Sequence, residues 1–119
     1  HIEIGNHVVF GGMAGGHQFT KYGDRVMVAA GAKVAKDVPP FCMVHGDRAK
    51  INGLNVIGLR RSGMSRDSIK QIKEMYRITF SENLPLEDAI NKMETSIEES
   101  GEKALYIDFL KASERGITR

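Results

Sequence analysis

Residues 4–38 read IGNHVVFGGMAGGHQFTKYGDRVMVAAGAKVAKDV, and steps of six divide them. The lead positions are Ile4, Phe10, Gly16, Tyr22, Val28 and Val34. A small residue follows most leads: Gly5, Gly11, Gly23, Ala29 and Ala35, with His17 as the exception. Four places after each lead stand Val8, Ala14, Thr20, Val26, Ala32 and Val38. A fixed period of this kind is the mark of a repeat architecture. Its physical reading is a parallel β-helix with flat faces and tight corners. The lead side chain points inward, and the small residue beside it is expected at the corner, where glycine tolerates geometry closed to other residues. Hairpins would instead show period-two alternation around Asn-Gly or Asp-Gly turns. Here Gly5-Asn6 and Gly23-Asp24 fall in the six-residue register.

Six hexads make two triangular coils, and stacked repeats generally need three units and capped ends. The chain also opens on His1 rather than Met, with the pattern already running. Both features lead to the expectation of further residues upstream. The repeat is expected to stop at Asp37-Val38-Pro39-Pro40, because proline lacks the N–H that pairing between coils requires. The expected division is residues 1–40 as the end of a β-helix, 41–53 as a connecting segment and 54–119 as a helical region. The fold class is mixed β/α.

From Leu54 the period becomes helical. Leu54 to Arg61 suits a short helix. Ser65 can cap the next one, with Ile69, Ile72, Met75, Tyr76 and Thr79 on one face. Pro85 suits a first helical position ahead of Leu86, Ala89, Ile90, Met93 and Ile97. Ser100-Gly101 is read as a break, and a last helix from about Glu102 to Ser113 is expected to bury Ala104, Leu105, Phe109 and Ala112.

Composition bounds the function. Seventeen Lys and Arg against fifteen Asp and Glu leave a net charge of +2, too small an excess for a nucleic-acid-binding surface. No apolar run approaches a membrane span. One cysteine, Cys42, excludes an internal disulfide framework and fits a reducing cytoplasm. Nothing resembles a phosphate loop or a Cys-based metal site.

Several residues carry chemistry with more than one reading. His17 either protrudes into a cleft or is a surface histidine, and Gln18 beside it offers an amide donor and acceptor. His1 and His7 lie near the same edge. Arg61 can clamp a pyrophosphate or meet the carbonyls of its own helix. Asn55 can cap a helix or contact a base. Arg48 and Lys50 can face an acidic partner or water.

The strings Ile4-Gly5 through Gly11-Gly12-Met13, His17-Gln18-Phe19, Val26-Met27-Val28, Lys36-Asp37-Val38-Pro39-Pro40 and Gly53-Leu54-Asn55-Val56-Ile57-Gly58-Leu59-Arg60-Arg61 together resemble the UDP-N-acetylglucosamine O-acyltransferases of lipid A synthesis. The ending Arg115-Gly116-Ile117-Thr118-Arg119 resembles that family's terminus. The resemblance implies a left-handed parallel β-helix with a helical C-terminal region, assembled as a homotrimer with clefts between subunits. It implies transfer of a 3-hydroxyacyl group from acyl carrier protein to the 3-hydroxyl of UDP-N-acetylglucosamine, without a cofactor. It puts the general-base histidine upstream of His1. It matches His1, His17, Gln18, Asn55 and Arg61 to substrate contacts, and Ala30 to the position limiting acyl length. This chain departs from the family pattern at Ile57, where Glu is common, and at Ser62, where Arg is common. The competing readings are an N-acyltransferase acting on a UDP-aminosugar and a zinc carbonic-anhydrase-like trimer using His1, His7 and His17.

Overall fold

A computed structural model describes residues 1–119. Strands β1 (Glu3–Ile4), β2 (Val9–Phe10) and β3 (Gly15–Gly16) form one coil, and β4 (Lys21–Tyr22), β5 (Met27–Val28) and β6 (Lys33–Val34) the next. Each strand pairs in parallel with the one three hexads later: Ile4 opposite Tyr22, Phe10 opposite Val28, Gly16 opposite Val34. The lead residues therefore stack in one interior, as the repeat predicts. Tyr22, Val26, Val28, Ala32, Val34 and Val38 are fully enclosed, and the Phe10 ring meets Tyr22 edge-on at 5.0 Å.

The corners differ from expectation. Left-handed backbone falls three places after each of the first five leads, at His7, Met13, Phe19, Arg25 and Gly31, with φ between 56° and 74°. The small residue beside the lead has another cause. A Cβ on Gly5, Gly11 or Gly23 would overlap the backbone of Asp24, Ala30 or Pro40 in the next coil. Close approach of neighbouring backbones, not corner geometry, selects glycine there. Gly16 interrupts the leads because the Tyr22 hydroxyl occupies the space a Cβ would need.

The prism also continues past the prolines. Val38 bridges Tyr22, β7 (Cys42–His45) pairs in parallel with β5, and Asp47 bridges Lys33. From Val34 to Val38 the interior column advances by four residues instead of six, so the register slips while the inward packing persists. The segment expected as a connector is thus a third coil layer. It turns at Gly46 into β8 (Lys50–Leu54), which runs antiparallel to β7.

Four helices follow: α1 (Val56–Arg61), α2 (Arg66–Phe80), α3 (Leu86–Ser96) and α4 (Gly101–Ala112). Asn55, Ser65 and Ser100 each accept a backbone N–H from the first turn of the helix they precede. Ser100 therefore starts α4, and Gly101 is its first residue rather than a break. Pro85 is the cap residue of α3, one place earlier than expected, and makes no side-chain cap bond. Helices α2, α3 and α4 enclose Ile72, Met75, Ile78, Met93, Tyr106 and Leu110. Phe41, from the third coil layer, stacks on Tyr106 at 6.5 Å and joins the helical core to the prism.

The face of α4 is the other difference. Lys103, Tyr106, Ile107 and Leu110 are buried, whereas Ala104, Leu105 and Ala112 are exposed. Polar partners decide it. The Tyr106 hydroxyl donates to Thr79 Oγ1 at 2.7 Å, and Lys103 Nζ donates to the carbonyls of Glu94 and Ile97.

Candidate functional site

His17, Gln18 and Phe19 form one corner of the second coil. The His17 N–H donates to Val34 O, and the His17 carbonyl accepts from both the N–H and the hydroxyl of Thr20. With its backbone held, the imidazole stands outward and exposed, as expected for a large residue in the small-residue column. The Phe19 N–H donates to His1 O, and the His1 ring stacks on the Phe19 ring at 6.0 Å. His1, His17 and Gln18 thus share one edge of the prism.

Two grooves meet at His17. One, of about 440 Å³, runs between Gly15-Gly16 and Arg48, with Lys33 and Asp47 on its wall. The other, of about 520 Å³, is bounded by Lys36, Arg48, Lys50 and Arg119. Five cations against one carboxylate make this edge favourable to an anionic ligand. Lys33 is partly committed, since its ammonium donates to Met13 O at 2.6 Å.

Asn55 and Arg61 lie elsewhere. Asn55 is buried: Oδ1 accepts from the Gly58 N–H at 3.2 Å, and Nδ2 donates to Arg25 O at 3.0 Å. It is a helix cap that also ties α1 to the Arg25 corner. Arg61 is exposed in the last turn of α1. Ser62 ends that helix, and its hydroxyl donates to Leu59 O. Ile57, at the other departure from the family pattern, is 65% exposed. Ala30 is exposed on the third edge, beside Gly31. One chain therefore distributes these residues over three edges: His1, His17 and Gln18 on one, Asn55 against the second, Ala30 on the third.

The remaining reactive groups are sequestered. Burial pushes the Cys42 thiol far above its usual range, so it has no nucleophilic character at neutral pH. Burial likewise raises the Tyr106 phenol. No histidine side chain hydrogen-bonds a carboxylate, and no three His, Cys, Asp or Glu side chains converge as metal ligands.

Sequence reasoning missed Asp37 and Arg115. The Asp37 side chain is buried, accepting the Lys21 N–H at 2.9 Å and the Ser113 hydroxyl at 2.6 Å. Arg115 Nη2 donates to Gln18 O at 2.9 Å. Ninety-seven residues separate that pair, and no local pattern could have announced it.

The family model described as UDP N-acetylglucosamine O-acyltransferase, domain 2, matches residues 37–118. The acyl-[acyl-carrier-protein]–UDP-N-acetylglucosamine O-acyltransferase of Myxococcus xanthus is 39% identical over 99% of this chain, and that of Anaeromyxobacter dehalogenans 41% identical over all of it. The crystal structure of the UDP-N-acetylglucosamine acyltransferase from Bacteroides fragilis superposes with a TM-score of 0.96 at 36% identity, and that of the enzyme from Moraxella catarrhalis with 0.94 at 39%. Each superposition covers 99% of this chain. These neighbours are left-handed β-helices, and this chain shares their fold. In all four cases the chain spans 46% of the relative's length. Over its whole length, by hexad register, helical region and sequence, the chain belongs to the UDP-N-acetylglucosamine O-acyltransferase family.

Proposed function

We propose that this chain is the C-terminal portion of an enzyme that transfers a 3-hydroxyacyl group from acyl carrier protein to the 3-hydroxyl of UDP-N-acetylglucosamine, the first step of lipid A synthesis. The observation that carries the reading is the likeness over the whole chain, at 36% to 41% identity, to proteins bearing that name. The distribution of site residues supports a shared site. Residues on three edges of a prism meet a single ligand only when edges of different copies face one another, which favours an assembly of copies, in this reading a homotrimer, with the nucleotide sugar between subunits.

In this reading the sugar oxygen attacks the thioester carbonyl, and a histidine preceding His1 takes its proton. The tetrahedral intermediate, its oxyanion held by a backbone N–H, then collapses. The C–S bond breaks, and the thiol of acyl carrier protein leaves with the proton. This chain supplies binding. His1, His17 and Gln18 hold the nucleotide sugar from one subunit, and Asn55 and Arg61 hold the nucleotide from the next. Asn55 contributes through the second hydrogen on Nδ2 and the second lone pair on Oδ1, because one of each is spent inside the chain. Ala30, with only a methyl group, leaves room for a long acyl chain.

The test is acyl transfer from 3-hydroxyacyl carrier protein, followed by mass spectrometry of the sugar nucleotide. The longer protein should give an ester product and residues 1–119 none. His17→Ala in the longer protein should lower kcat/KM about tenfold or more, the effect of one lost charge-assisted contact. Product formed only on a UDP-aminosugar would replace this substrate. Turnover by residues 1–119 alone would place the base among them.

A further inference from the structure

The C-terminal tail is built into the coil edge that carries Gln18. Asp37 forms the latch. Its Oδ2 accepts from Ser113 Oγ, its N–H donates to Gly116 O at 3.0 Å, and its carbonyl accepts the Thr118 N–H at 2.7 Å. Thr118 Oγ1 also donates to Lys36 O at 2.9 Å, and Ile117 and Thr118 are buried. The tail therefore pairs with the coil as a short parallel bridge, Asp37 to Ile117. Gly116, at φ +92°, allows the turn just before it. The same turn throws Arg115 back across the corner to Gln18 O, at 2.9 Å.

That contact completes a clamp on one peptide plane. The peptide joining Gln18 to Phe19 has its carbonyl held by Arg115 and its N–H held by His1 O. Phe19 sits in left-handed backbone, φ 69°, where the Cβ of any residue other than glycine crowds the adjoining carbonyl. Such a corner keeps its shape only when its surroundings hold it. Fixing this plane at both ends sets where the Cα–Cβ bonds of Gln18 and Phe19 point.

We propose that Arg115 is a positioning residue: it holds the Gln18–Phe19 peptide so that the Gln18 amide is presented, with His17, to the nucleotide sugar. The inference rests on the acyltransferase reading for its ligand. Its geometry stands apart from that reading.

The experiment uses the longer protein carrying Arg115→Met or Arg115→Lys. Arg115 is exposed, so both variants should fold with unchanged melting temperatures. Arg115→Met should raise KM for UDP-N-acetylglucosamine about fivefold, the loss of one hydrogen bond, with kcat within twofold of the parent. Arg115→Lys, which keeps a donor, should recover most of it. Amide exchange at Phe19 should quicken in Arg115→Met and return toward the parent rate in Arg115→Lys. Unchanged exchange and unchanged KM in Arg115→Met would overturn the inference, as would an equal fall in kcat and stability. If exchange responds as expected while the parent protein forms no ester, the acyltransferase reading fails and the clamp stands.

Discussion

Gly23 shows what the repeat asks of a single residue. Its Cα faces the backbone of Pro40 in the next coil, and a Cβ there would overlap both the nitrogen and the ring. The obstacle is backbone, so it cannot rotate away. Gly23→Ala should destabilise the chain by about 3 kcal/mol, the upper range for overpacking a filled interior, and a urea titration reads it. A loss below 1 kcal/mol would mean that the coils can separate locally. Asn55 makes a complementary point. The sequence leaves it open between cap and ligand contact; its side chain makes the cap and ties α1 to the Arg25 corner, with one amide hydrogen and one oxygen lone pair left over for a ligand. A residue can be needed for a site by shaping the backbone that carries it.

At the scale of the element, α4 is the instructive case. It has apolar residues on every side, among them Leu105, Ile107, Phe109 and Leu110. Hydrophobic periodicity therefore cannot choose its buried face. The choice falls to Lys103, whose stem lies in the core while its ammonium donates to Glu94 O, Ile97 O and Glu99 Oε1. Those carbonyls belong to the end of α3 and the residues after it, where no further helical N–H reaches them. Lys103→Met keeps the stem and removes the donor. It should cost about 1–3 kcal/mol, the penalty for leaving such acceptors unpaired. Thermal unfolding followed by circular dichroism measures it. A neutral result would show that water replaces the ammonium.

Over the whole molecule, stability is graded along the prism axis. Strands β4 and β5 are paired on both sides, through Val38 and β7, whereas β1, β2 and β3 are paired on one side only. Ile2, Ile4, Val9 and Met13 stand exposed at that end. In the isolated 119-residue chain, amide exchange should be fastest in residues 3–16 and slowest in β5, β7 and α2, with a spread of several kcal/mol in opening free energy. Uniform protection would indicate that the open end is covered by a second copy in solution, and a concentration series would reveal it.

The hexads and the stripes of α2 and α3 were legible because each is a local periodicity: a side chain every sixth residue, or every third and fourth, reports its own burial whatever lies opposite. The interior column of Phe10, Tyr22 and Val28 and the outward placement of His17 followed from that alone. The third coil layer was hidden because a two-residue slip between Val34 and Val38 breaks the period without breaking the stack. The buried face of α4, the double duty of Asn55 and the clamp of Arg115 on Gln18 depend on partners up to 97 residues away. Such pairings are settled by which buried polar groups find one another once the chain has closed, and a linear pattern contains no term for that.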